Sequence, residues 1–177
     1  KPDERGEVVA NMSKSSSVMV ISGSLPQGID SSYYAKLFRV AAPDTLKIAD
    51  TEGDKLLAAL SVGMDLVKPN KDELQNTLHK EFKTRDDLLK GCYELLDKGA
   101  KRVLLSLGKR GAIITDGSKN YFCKSINVAI NSTVGAGDGM VAAAAMMLKA
   151  GASLDDILRA GVAAGTATVT AFGKISL

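Results

Sequence analysis

Asn131-Ser132-Thr133-Val134-Gly135-Ala136-Gly137-Asp138-Gly139 runs directly into Met140-Val141-Ala142-Ala143-Ala144-Ala145-Met146-Met147-Leu148. A small turn spaced by glycines opens onto a long helix of alanine, methionine and leucine, with an acid at the helix's first positions. The first amides of a helix lack intrahelical acceptors, and the aligned peptide dipoles place partial positive charge at that end. Glycine lets an anionic group approach the backbone closely, so the stretch has the makings of a phosphate cradle. Asp138 suits such a cradle poorly as a ligand, because a carboxylate repels phosphate. It suits the cradle better as a base for a hydroxyl that must meet the phosphate. Taken alone, the stretch reads equally as a capped, buried helix behind a glycine turn.

The 177 residues suit a single α/β domain, 1–177, with a sizeable core. Hydrophobic residues make up 45% and aromatics 5%, the composition of an ordinary globular protein. A net charge of +3, dispersed along the chain, is too small to argue for nucleic acid or an anionic membrane surface as a partner, and neither is expected. Cys92 and Cys123 lie far apart, without CxxC or Cys/His spacing, as expected of a reduced, cytoplasmic protein without structural zinc. No apolar run approaches the roughly 18 residues needed to span a bilayer, and no signal-peptide pattern opens the chain. The sequence begins at Lys1 rather than Met and ends at Leu177 in or just after a helix, which reads as a piece of a longer protein.

Short apolar runs alternate with helical patterns along most of the chain. Val18-Met19-Val20-Ile21-Ser22 has the continuous apolar character of a strand buried on both faces. The turn residues Gly23-Ser24-Leu25-Pro26-Gln27-Gly28 follow it. Asp30 or Ser31 is placed to cap a helix over 33–41, which Pro43 stops. Residues 45–50 read as a strand, 53–60 as a short helix, and Asp65-Leu66-Val67-Lys68-Pro69-Asn70 as a strand and then a break. Thr84 caps a helix over 85–98 that Gly99 ends. Residues 102–106 form a buried strand, and Asp116-Gly117 marks a hairpin between 112–115 and 121–123. A last short strand is expected at 128–130, and Ser153 caps the final helix. Helices between successive strands imply a layered α/β fold with a mostly parallel sheet and right-handed crossovers. Ligands in such folds sit beyond the carboxyl ends of the strands. The loops after Ser22, Val67, Ser106 and Ile130 should therefore gather on one edge.

Familiar glycine motifs fit badly. Walker A requires a GK[ST] triplet, whereas Gly108-Lys109 is followed by Arg110; the dinucleotide fingerprint fails because Met140 occupies its third glycine position. Ser106-Leu107-Gly108-Lys109-Arg110-Gly111 leaves a buried strand through glycines and is either a phosphate-wrapping loop or a tight β-turn. Asn70 and Glu73, three apart at a helix start, form a capping pair, hold water around magnesium, or do both. His79 reads as a surface residue, Lys109 and Arg110 as phosphate contacts or as solvated cations at a turn tip, and the two cysteines as packed or half-exposed rather than nucleophilic.

Four motifs in order, Ser22-Gly23-Ser24-Leu25-Pro26-x-Gly28, Lys68-Pro69-Asn70-x-x-Glu73, Ser106-x-Gly108-x-x-Gly111 and Thr133-Val134-Gly135-Ala136-Gly137-Asp138, resemble the ribokinase-like carbohydrate kinases, also called the phosphofructokinase B family. The Ser-Gly-Ser-Leu-Pro loop is most like the 1-phosphofructokinase and tagatose-6-phosphate kinase branch. The resemblance implies a ribokinase-like three-layer α/β/α sandwich whose N-terminal strands and β-lid are absent from this chain. It implies ATP-dependent phosphoryl transfer to a sugar-phosphate hydroxyl, with Asp138 as catalytic base and substrate contact. Gly135, Ala136 and Gly137 would form the anion hole, and Ser106, Gly108, Gly111, Asn70 and Val162 would contact ATP. Glu73 and Asn70 would hold Mg2+ through water. A small-molecule partner and a homodimer through the lid belong to the same expectation. A nucleotide-binding piece without catalysis, and a kinase of ribose, a nucleoside or a vitamin, are the alternatives.

Overall fold

A computed structural model describes residues 16–128 and 134–170. Six strands form one sheet in sequential order: β1 (Val18–Ser22), β2 (Leu46–Asp50), β3 (Leu66–Val67), β4 (Val103–Ser106), β5 (Ala112–Thr115) and β6 (Asn120–Cys123). β1 to β4 are parallel, while β5 and β6 complete an antiparallel meander on β4. Helices α1 (Tyr33–Arg39), α2 (Gly53–Leu60), α3 (Lys71–Leu78) and α4 (Arg85–Asp97) connect the parallel strands. Helices α5 (Ala136–Lys149) and α6 (Leu154–Thr170) follow the meander.

Strand periodicity sorts these helices into layers, because alternate side chains point to opposite faces. Ala49, Val67, Val103, Leu105 and Ile113 face one core with Phe38, Leu56, Leu60, Leu74, Cys92 and Leu95 from α1 to α4. Ile48, Leu66, Leu104, Ala112 and Ile114 face the other with Met140, Val141, Ala144, Ile157 and Leu158 from α5 and α6. The result is the expected three-layer α/β/α sandwich. α5 and α6 pack closely because glycines on each face residues of the other: a Cβ on Gly139 would lie 2.5 Å from Thr168 Oγ1, and one on Gly161 3.1 Å from Met140 Cγ.

Several sequence expectations need correction. β1 is not buried on both faces; Val20 is 43% exposed, because β1 is the edge strand of the sheet in the described residues. β3 keeps only two residues of the 65–70 run, which carries the buried polar groups Asp65 and Lys68. Asp65 accepts from the Lys47 amide at 2.8 Å and from Lys101 Nζ at 2.9 Å, and Asn70 retains a single bridge to Ser106. α1 starts after Ser32, not after Asp30 or Ser31, and Asp30 Oδ1 instead accepts from the Ser32 amide. α1 also ends at Arg39, earlier than expected. Gly53–Leu60 is as predicted, Thr84 makes a full capping box with Asp87, and Ser153 Oγ accepts from the Asp156 amide. Val128 lies outside any strand, and the rest of the strand expected at 128–130 falls outside the described residues, as does the start of the 131–139 motif. No helix among the described residues is long and apolar enough to cross a membrane.

Candidate active site

Because β1 to β4 run parallel, their carboxyl ends share one edge, and the segments that leave them meet there. Asn70, after β3, forms a parallel bridge with Ser106 at the end of β4, so two of the motifs become neighbours. After Ser106 the chain turns through a 3₁₀ segment, Gly108–Arg110, closed by Arg110 N donating to Leu107 O and Gly111 N to Gly108 O. Gly108 and Gly111 hold φ of +57° and +103°, where L side chains are strained, so glycine is required at these two turn positions.

The first turn of α5 approaches the same edge. Gly135 is its N-cap, with φ +82° and no side-chain capping bond, and its carbonyl accepts from the Gly139 amide at 2.9 Å. The amides of Ala136, Gly137 and Asp138 therefore begin a fourteen-residue helix, at the positive end of its dipole. Ala136 and Gly137 line a cavity of about 440 Å³ together with Ser106, Gly108, Gly111 and Val162. Met140, Val128 and Val169 make its far wall apolar. Six of the residues singled out in the sequence thus surround one space of a size suited to a small-molecule ligand. Asp138 is exposed on the same helical turn, outside the cavity lining.

Asn70, bridged to the cavity-lining Ser106, is locked to Glu73. Asn70 N donates to Glu73 Oε2 at 2.7 Å, and Glu73 N donates to Asn70 Oδ1 at 2.9 Å. The capping and metal readings are compatible, since Glu73 Oε1 is outside this pair. Burial raises the Glu73 carboxyl above its ordinary value; the Asn70 amide and the Lys68 ammonium oppose that rise, while Asp50 and Glu52 reinforce it. A half-buried carboxylate beside two further acids gains from a cation, so the donor set fits a magnesium ion held through water. Among the described residues, no group of three or more His, Cys, Asp or Glu converges as a direct metal cage.

Two residues of this site carried no role in the sequence reading. Lys68 Nζ pairs with Asp50 Oδ1 at 2.9 Å, with side chains only 5% and 13% exposed. That ammonium lies 3.5 Å from where a Cβ on Gly137 would stand, so a buried cation backs the first turn of α5. The available signal was a lysine inside an otherwise apolar run; its partner, at the end of another strand, left none. Asp50 also ties in the Ser-Gly-Ser-Leu-Pro loop, since its carbonyl accepts from Gly23 N at 3.1 Å. The Gly23 carbonyl in turn accepts from Tyr34 Oη at 2.8 Å and Thr51 Oγ1 at 3.0 Å.

Comparison with known proteins bears on the family and the fold. The family model described as "pfkB family carbohydrate kinase" matches residues 4–177. The chain is 41% identical over 157 residues to ATP-dependent 6-phosphofructokinase isozyme 2 of Escherichia coli (strain K12), covering 87% of this chain and 51% of that protein. It is 34% identical over 154 residues to a 1-phosphofructokinase of Borreliella burgdorferi, covering 86% and 50%. The crystal structure of phosphofructokinase-2 from Escherichia coli in complex with fructose-6-phosphate superposes with a TM-score of 0.84 at 37% identity, over 94% of this chain and 55% of that one. The sandwich is therefore ribokinase-like, as expected. The chain spans about half the length of the curated relatives it matches. By its sequence, its fold and the motifs gathered on one sheet edge, the chain belongs to the pfkB family of carbohydrate kinases.

Proposed function

We propose that this chain supplies the nucleotide side of an ATP-dependent phosphoryl transfer to a hydroxyl of a sugar phosphate, of the fructose 1-phosphate or tagatose 6-phosphate type. One observation carries the reading: a single cavity has an apolar wall at Val162, Met140 and Val128, and glycine-spaced turns at Gly108, Gly111 and Gly137. A nucleotide base is served by the first and a polyphosphate by the second. Phosphoryl transfer depends mostly on positioning and electrostatics. The amides of Ala136 and Gly137, with Gly135 as the turn, would meet charge developing on the transferred group. The Lys68 ammonium behind Gly137 adds a fixed positive charge that Asp50 keeps in place. Magnesium, held through water by Glu73 and Asn70, would shield the phosphate charges. Asp138, exposed beside the cradle, would orient the acceptor hydroxyl and take its proton, which is typically worth about 10²–10⁴-fold.

Acceptor recognition and a lid-mediated homodimer would come from the part of such kinases that this chain does not span. That span favours a second reading, in which this chain binds nucleotide without turnover. Calorimetric titration with ATP and magnesium, beside a kinase assay on fructose 1-phosphate and tagatose 6-phosphate, separates the two. In the first reading Asp138→Asn, placed in a chain that also carries the acceptor-binding portion, binds ATP like the unsubstituted protein while kcat falls by about 10²–10⁴-fold. Unchanged turnover in that variant overturns the role of Asp138. Binding without any turnover in the unsubstituted chain supports the second reading, and absence of binding overturns both.

A further inference from the structure

The cavity's described lining contains one charged residue, Lys109, in the exposed 3₁₀ turn. Its ammonium makes no ion pair among the described residues. The neighbouring wall is the segment leaving β6, whose Ser125, Ile126, Asn127 and Val128 also line the cavity. One hydrogen bond joins that wall to the turn: Ser125 Oγ donates to the Lys109 carbonyl at 2.6 Å. The two surfaces are also flush. A Cβ on Gly111 would fall on the Cys123 carbonyl and would lie 2.8 Å from both Lys124 Cα and Ser125 N. The turn's own bonds use the carbonyls of Leu107, Gly108 and Gly111, while the Lys109 carbonyl takes its partner from the opposite wall.

We propose that Lys109 is a phosphate-contacting residue and that Ser125 positions it, by fixing the Lys109 backbone so that the ammonium reaches across the cavity to the nucleotide's phosphates. The inference rests on the nucleotide reading above and adds two residues that the family motifs leave open. A lone cation lining an otherwise neutral cavity recognises the anionic part of its ligand and leaves the nucleoside part untouched. A hydrogen bond to its own carbonyl narrows the turn conformations from which it does so.

The test is competition of ATP, and separately of adenosine, against a fluorescent ATP analogue on this chain, for Lys109→Met, Ser125→Ala, Ser125→Thr and the double variant Lys109→Met/Ser125→Ala. Each single loss should weaken ATP by about threefold to fivefold, the upper end of the scale of one exposed charge contact. Adenosine should stay within about twofold, the double variant should be no weaker than the worse single variant, and Ser125→Thr should restore affinity. Unchanged ATP affinity in either single variant, equal losses for ATP and adenosine, or fully additive losses overturn the proposal. A purely structural Ser125 would shift the melting temperature and both ligands together. If the unsubstituted chain binds neither ATP nor adenosine, the nucleotide reading itself fails, and that arm identifies the failure.

Discussion

Replacing Lys68 by methionine should destabilise the chain, and the structure sets the size of the loss. The ammonium and the Asp50 carboxylate stand 2.9 Å apart, with side chains 5% and 13% exposed. At an effective dielectric of about 20 their attraction is about 6 kcal/mol, most of it offset by the desolvation of both groups. What the substitution exposes is that desolvation: methionine matches the lysine stem in size, but Asp50 is left buried without its cation. Glu73 and Glu52 lie close enough to act electrostatically on the same region and sharpen the penalty. Breaking one partner of a buried pair costs about 3–5 kcal/mol, and the partial exposure of Asp50 places this case near about 3 kcal/mol. Removing both charges in Lys68→Met/Asp50→Asn should recover most of that loss. Urea unfolding of the four proteins measures the cycle. A single-variant cost below about 1 kcal/mol, or a double variant no better than Lys68→Met, would refute the argument.

Gly137 and Gly139, two residues apart on α5, should respond in opposite ways. A Cβ on Gly137 meets Lys68 Nζ at an ordinary 3.5 Å, so Gly137→Ala should keep or raise stability by up to about 1 kcal/mol, as alanine replaces glycine within a helix, while weakening ATP binding. Gly139→Ala should lower the melting temperature, since its Cβ would press Thr168 Oγ1 and the Ala164 carbonyl; unfolding curves for both, with an ATP titration, check the pair. Glu73 has a raised folded pKa, so the stability it contributes is full below its ordinary value of 4.5 and is lost as pH rises through the folded value. Stability of the unsubstituted chain should thus fall relative to Glu73→Gln as pH rises above 4.5, and parallel pH profiles would contradict that sign. Cys92 is fully buried, with its thiol pushed up to about 12, whereas Cys123 is partly exposed. Labelling with a thiol reagent should consume one thiol in the folded chain and the second only in denaturant; two fast-reacting thiols would place Cys92 wrongly.

The parts of the fold legible in the sequence were those specified locally. Asn70 with Glu73, Thr84 with its first turn, and Gly53 through Leu60 carry their boundaries in adjacent residues, and the structure reproduces them. The alternation of strands and helices also placed the loops after Val67 and Ser106 on one edge, where Asn70 and Ser106 form a bridge, while the loop expected after Ile130 begins outside the described residues. What remained hidden depends on distant partners. Val20 is as apolar as a core residue, and only its place on an edge strand exposes it. Lys68 reads as a charge interrupting a strand until Asp50, eighteen positions earlier, comes alongside it. The Ser125 contact with Lys109 is equally non-local, because a hairpin intervenes between them.

The central claim concerns where a nucleotide sits, and a crystal structure of this chain with a non-hydrolysable ATP analogue and magnesium tests it most directly. The account predicts phosphates against the amides of Ala136, Gly137 and the Gly108–Arg110 turn, the base against Val162, and Asp138 beside the terminal phosphate. A nucleotide bound anywhere else, or one seated in the cavity with its base at Gly137 and its phosphates at Val162, would contradict it.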